Sequence, residues 1–272
     1  MGAYKKLDPQ EPAIEQIDSL YWLPFYAAPR HNYNLSGIYL SFSGEPSPYP
    51  YSNPNFIGYQ TDIYSEESYP RMYGCMKLWD ESSPYIQVEI QHLNTGCSFD
   101  IDDETAGDMG LCHLDIRLVK LREVEWEDNY DLVSPFQIKK LILRRYRDIK
   151  KDFSTIGDYF IPISEEALEE KEIKGRTWYL GVSGVRSGDW NFALYTALTP
   201  EHMLIVDCKL RFWPSDHEPS EKALKTSLGP LWDFLDNLEI DEEPGHIEVG
   251  VRDARGSLVK EETDTGDMDI EW

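Results

Sequence analysis

Three strand-like segments joined by short polar turns constrain the fold of this chain more than anything else in it. Residues 176–182, 190–198 and 202–212 are dense in β-branched and aromatic side chains, which suit a pleated, half-buried surface. The first two are separated by a turn holding Gly184, Ser187, Gly188 and Asp189, the last two by Thr199, Pro200 and Glu201. Connections this short suit neighbouring antiparallel strands.

Other elements follow the same signals. Residues 38–42 alternate as a strand, and the prolines of 44–50 mark a loop that no sheet interior accepts. Residues 72–78, 85–92 and 111–124 are further strands, with 72–78 and 85–92 expected to pair as a hairpin. Ser134 and Pro135 open a helix whose apolar stripe is expected to be Phe136, Ile138, Leu141, Ile142, Ile149 and Phe153, with Tyr146 on its edge. A second helix is expected over 221–238, kinked at Pro230. Residues 1–35 read as an irregular aromatic lead-in, and 247–252 with 257–260 as a small hairpin before a mobile acidic end. The predicted class is α+β: antiparallel sheets covered by a few helices, the C-terminal half running helix, strand, strand, strand, helix. The expected divisions are 1–130, aromatic-rich and mostly β; 131–242, an α/β sandwich module; and 243–272, the hairpin and tail.

Within that middle segment, Gly175-Arg176-Thr177-Trp178-Tyr179, a glycine-bearing turn, Leu194-Tyr195 and Leu198-Thr199-Pro200-Glu201 are the most distinctive phrases. On these and the element order, residues 134–240 resemble the PsbP-type α/β/α sandwich. Some small bacterial proteins of that arrangement resemble immunity proteins of toxin systems. The resemblance implies a protein-binding role and brings no catalytic residues with it.

Charge narrows the function. The chain carries 50 acidic and 26 basic side chains, a formal charge of -24. Such a field repels nucleic-acid phosphate and anionic lipid and speeds the approach of cationic partners. No apolar run is long enough to span a bilayer, and Lys5 and Lys6 are followed by no signal-like apolar stretch, so a cytoplasmic protein is expected. Cys75, Cys97, Cys112 and Cys208 form no C-x-x-C pair and read as reduced thiols.

Motifs with chemistry fall short of their requirements. Asp100, Asp102, Glu104 and Asp108 suggest a calcium loop, but Thr105 and Leu111 stand where an EF-hand needs glycine and glutamate. His92, Cys97, Cys112 and His113 offer zinc donors at a spacing that matches no finger or ribbon, and on a strand Cys112 and His113 project to opposite faces. Gly181-Val182-Ser183-Gly184-Val185 lacks the final glycine of a nucleophile elbow. No cofactor or metal is expected. The basic helix face from Lys139 to Lys151 reads best as a surface neutralised by the acidic stretch 165–172.

The expected function is therefore non-enzymatic protein binding, most concretely an immunity-type inhibitor of a basic effector or toxin. Asp100, Asp102, Asp103, Glu104 and Asp108 are expected to steer the partner, while Tyr64 and Tyr69 of the Tyr/Pro-rich stretch supply contact area. The alternative is a hydrolase or small-ligand protein with an aromatic-lined pocket on the sheet.

Overall fold

Turn chemistry and strand alternation build two sheets that share one core. The computed structural model describes residues 19–21, 25, 28–46, 57–69, 72–73, 76–77, 83–100, 108–122, 131–152, 158–186, 188–212, 224–225, 227–242 and 249–252; for 19–21, 46, 72–73, 76–77, 94–100, 108–111, 152 and 212 only the backbone is described. The early strands are β1 (Ser19–Tyr21), β2 (Arg30–Leu35), β3 (Ile38–Ser43), β4 (Glu45–Pro46), β5 (Gln60–Thr61), β6 (Met72–Tyr73) and β7 (Met76–Lys77). Two long strands follow, β8 (Tyr85–Asp100) and β9 (Asp108–Leu121), then helix α1 (Pro135–Asp152). After it come β10 (Tyr159–Phe160), β11 (Glu169–Ile173), β12 (Arg176–Val185), β13 (Asp189–Ala197) and β14 (His202–Phe212). Helix α2 (Gly229–Asn237), β15 (Glu239–Asp241) and β16 (Gly250–Arg252) complete the described elements.

The main sheet has nine strands, in the order β1-β8-β9-β14-β13-β12-β10, with β11 also on β12 and β4 on β8. The second has five, ordered β15-β3-β2-β16 with β5 on β2. Every pairing in the two is antiparallel except β2 with β5. The β2–β3 hairpin is closed by Ser36 and Gly37 at φ 55 and 95, the left-handed pair that a tight hairpin turn requires, and Asn34 Oδ1 accepts from the Gly37 N–H at 2.8 Å.

Alternation sorts the main sheet into two faces. Leu114, Ile116, Leu118, Leu204, Val206 and Leu194 face one way and pack with Tyr33, Leu40 and Phe42 of the second sheet and with Leu231 and Phe234 of α2. Val119, Met203, Ile205, Ala193 and Tyr195 face the other way, against Ile138, Leu141, Ile142 and Tyr146 of α1. The main sheet is thus the middle of three layers. Helix α1 sits close because Gly181 has no side chain: a Cβ there would lie 2.6 Å from the Tyr146 hydroxyl oxygen.

The α+β expectation is overturned. The described residues are mostly strand, with two α-helices against two large sheets. The physical reason is that segments read as irregular contribute strands. Residues 30–35 form β2, since the polar side chains at its centre are hydrogen-bonded in the core: buried His31 bonds the Tyr59 hydroxyl through Nδ1 and the Gly44 carbonyl through Nε2, each at 2.9 Å. The acidic stretch 169–173 becomes β11 through the Lys174–Gly175 turn. Residues 72–73 pair with 76–77, while 85–92 pair with β9.

The expected boundary near residue 130 is crossed by the main sheet itself, where β9 pairs with β14 over eleven positions. Residues 250–252 pair with β2; 257–260 and the acidic end lie outside the described residues. Within the expected second helix, residues 224, 225 and 227 are helical, a turn intervenes at Leu228, and helix α2 follows with Pro230 in its first turn. On α1, Phe136 is 57% exposed and Arg145 is buried, because the stripe 138, 141, 142, 145, 146 follows the helical repeat and Phe136 falls outside it. Phe153 lies outside the described residues.

Candidate functional site

Two regions gather polar or exposed groups worth testing for function. The first lies on the α1 side of the main sheet, where the apolar rows give way to charge. Asp115 of β9 and Asp207 of β14 stand directly opposite each other in the ladder, an arrangement of like charges that is destabilising unless bridged. Arg117 bridges it, donating through Nη2 to Asp115 Oδ2 at 2.6 Å and through Nη1 to Asp207 Oδ2, with Glu89 Oε1 3.7 Å from its Nε. His92 Nδ1 donates to Asp115 Oδ1, and Lys209 Nζ lies 2.5 Å from Asp115 Oδ2.

Burial alone pushes the Asp115 carboxyl up, but the His92 hydrogen bond and the charges of Arg117 and Lys209 overcome it and hold the group well below the usual range. Burial raises Glu89, against the pull of Arg117. Burial lowers His113, whose ring centroid is 5.4 Å from that of His92; its Nδ1 is buried without a hydrogen-bond partner. The network opposes three carboxylates to two permanent cations and so largely neutralises itself.

Chemically, this face holds an oriented imidazole and little else. Among the described residues the bond of His92 is to the Asp115 carboxylate and none is to a hydroxyl or thiol. No three histidine, cysteine or acidic side chains among them converge as metal ligands. The sheet itself divides the zinc donors weighed above: Cys112 packs in the inner core with its sulfur 3.5 Å from that of Cys208, while His113 sits on the opposite face. The side chain of Cys97 lies outside the described residues.

The second region is a groove of about 710 Å³ between the β2–β3 turn and the start of α1. Its lining is mixed: Ile38, Leu132, Val133, Ile138 and Leu198, with Tyr64 and Tyr179 beside them, form an apolar part, and Ser36, Thr177, Thr196 and Thr199 a polar one. Four large hydrophobic side chains are exposed among the described residues; Tyr64 (51%) and Val133 (62%) line this groove, and Phe136 follows in the first turn of α1. Local structure holds them out. Val133 N–H donates to Asp131 Oδ1 at 3.0 Å, and Tyr64 N–H to Asp62 Oδ1 at 3.1 Å. The Tyr64 ring meets buried His202 edge-on at 5.0 Å, and His202 is fixed by Thr199 Oγ1 at 2.7 Å and the Ile63 carbonyl at 2.8 Å. Burial lowers the His202 imidazole to about 4, keeping it neutral.

The groove carries an acidic rim. Asp62 and Asp131 bond to lining backbone as above, Glu172 accepts from Thr177 at 2.6 Å, Glu201 follows Pro200, and Glu242 lines the groove itself. Among the described lining residues the one cation is Arg176, paired with Glu242 at 2.5 Å; beside the lining, Lys120 Nζ lies 3.6 Å from Glu201 and Lys139 sits 5.0 Å over the Tyr179 ring.

The residues expected to form one partner surface do not come together. Tyr64 is exposed and belongs to the groove. Tyr69 is buried at 1%, with its hydroxyl donated to the Ile63 carbonyl at 2.8 Å, so it is a core residue and offers no contact area. Asp100 and Asp108 are backbone partners at the far end of the β8–β9 hairpin, while Asp102, Asp103 and Glu104 lie outside the described residues. Tyr64 touches His202, which pairs with Lys120, so twelve residues of β9 separate the two ends, roughly 40 Å. Val133, Phe136 and the carboxylate rim were not singled out from sequence as contact residues. Their signal was weak, since Phe136 reads naturally as part of the helix stripe.

No family model, curated protein or solved structure matches this chain.

Proposed function

We propose that this protein binds and restrains a basic protein partner in the cytoplasm, as an immunity-type inhibitor does, and that it performs no chemistry of its own. The observation that carries this reading is how the charges are spent. Arg30 pairs with Glu239, Arg122 with Glu66, Lys139 with Glu170, Arg176 with Glu242 and Arg211 with Asp189, while Arg117 is enclosed by Asp115 and Asp207. Among the described residues the basic side chains are therefore largely used within the fold, and the net charge of -24 over the whole chain favours an approaching cation. Such a charge accelerates encounter with a basic protein more than it tightens the final complex. The basic face of α1 fits the same account, since Lys139 reaches Glu170 and sits 5.0 Å over the Tyr179 ring, and Arg145 is buried against Tyr195.

The direct test is to purify the tagged protein from its native cells and measure association with whatever basic protein co-purifies, by stopped flow at rising salt. The rate is expected to fall about tenfold or more between 50 and 500 mM salt. A partner that is acidic, or a rate independent of salt, would remove the reading.

A further inference from the structure

We propose that the groove between the β2–β3 turn and the first turn of α1 seats an apolar side chain borne on a basic segment of the partner protein. This rests on the reading of a basic protein partner and adds where it docks and what it must present. Two independent features of the groove specify the occupant. Its lining is mixed but holds an apolar patch, and three of the four exposed large hydrophobics among the described residues, Tyr64, Val133 and Phe136, lie in it or beside it. Isolated surface hydrophobics need no explanation, but a cluster rimmed by polar groups marks a contact site. The rim in turn favours one sign of charge: Asp62, Asp131, Glu172, Glu201 and Glu242 are all exposed and outnumber the described cations beside them, Arg176 paired with Glu242, Lys120 3.6 Å from Glu201, and Lys139 over the Tyr179 ring.

The volume of about 710 Å³ accommodates a large side chain with its flanking backbone. A second copy of this chain is a poor occupant, because two molecules each at -24 repel. An anionic lipid surface is opposed by the same rim. The groove is also preorganised. Val133 and Tyr64 are fixed by hydrogen bonds from their own N–H groups to Asp131 and Asp62, so little ordering is needed on binding.

Three synthetic heptapeptides test this on the full chain by isothermal titration and NMR: tryptophan between paired lysines, alanine between the same lysines, and tryptophan between paired glutamates. The tryptophan–lysine peptide is expected to bind at least tenfold more tightly than either control. Val133→Asp and Tyr64→Ala, both at exposed positions, should bring it down to the level of the alanine peptide, with the fold checked by the unchanged NMR spectrum of the core. Equal binding of the two lysine peptides, insensitive to Val133→Asp, would overturn the seat while leaving a basic partner in place. Failure of both lysine peptides to bind would overturn the seat and count against the basic partner as well. Equal binding of the glutamate peptide would overturn the charge selection. A concentration-dependent dimer that Val133→Asp abolishes in sedimentation would assign the groove to a second copy.

Discussion

At the scale of single residues, Arg117 is the side chain on which most depends. It holds apart two carboxylates that the β9–β14 register forces together. Replacing it with methionine keeps much of the volume and leaves Asp115 and Asp207 opposed without a counter-ion. Arg117→Met should cost about 3–5 kcal/mol in urea unfolding, and adding Asp115→Asn and Asp207→Asn should recover much of it. Titration gives a second expectation. The folded His202 is depressed to about 4, so as pH falls below roughly 6.5 the unfolded chain takes up a proton that the folded one refuses. Stability is lost across that window, by about 3 kcal/mol at the low end. Asp115, a carboxyl held below its ordinary value, adds a loss only beneath about pH 4. Thermal melts from pH 7.5 to 4 should therefore decline from the neutral end, and His202→Gln should lower the melt at pH 7 but flatten the slope between 6.5 and 4.

At the scale of elements, the two helices show what a local signal carries. Ser134 and Pro135 start α1 as their chemistry dictates, with the Ile138 N–H bonded to the Ser134 carbonyl at 3.1 Å. Pro230 carries the same signal but reads as a kink if the helix is started at Glu221. In the structure the helical residues 224, 225 and 227 give way to a turn at Leu228, and Pro230 occupies the first turn of α2, where its missing N–H costs nothing. Pro230→Ala should accordingly leave stability within about 1 kcal/mol of the parent or slightly below, because the unfolded chain gains freedom. A gain of about 3 kcal/mol in chemical denaturation, as expected on removing a mid-helix proline, would contradict the assignment. Strand β11 illustrates the converse. Its Glu169, Glu170 and Glu172 are exposed, which makes a sheet edge unattractive to other strands and, by the same composition, hides the strand from a reading of apolar alternation.

At the scale of the whole molecule, the groove and the backbone pair of Asp100 with Asp108 lie toward opposite ends of the main sheet. The hairpin end at Asp100 and Asp108 lies roughly 40 Å from the groove beside Tyr64. Steering and seating are thus separable. Reversing Asp100, Asp102 and Asp103 to lysine changes the formal charge by six, from -24 to -18. It should slow association with a basic partner and reduce its salt dependence several-fold. The affinity of the tryptophan–lysine peptide for the groove should change by less than twofold, since a Debye length is about 8 Å at physiological salt. A loss of peptide affinity as large as that caused by Val133→Asp would show that the two ends act as one surface.

Local sequence determined what depends on neighbours along the chain. The long strands at 176–185, 189–197 and 202–212, the start of α1 and the opposition of Cys112 to His113 all follow from turn residues, caps and the twofold alternation of a strand. The net charge is likewise a property of the sequence alone. Tertiary structure alone decided the rest. His31 is tolerable in β2 only because Tyr59 and Gly44 supply its hydrogen bonds from elsewhere in the chain, and Tyr69 is core only because Ile63 turns its carbonyl toward it. The groove joins the β2–β3 turn, residue 64, the start of α1 and residue 242. No local pattern can bring together side chains that distant in sequence, because it is the stacking of two sheets, through the hydrophobic cost of leaving either face open, that sets them side by side.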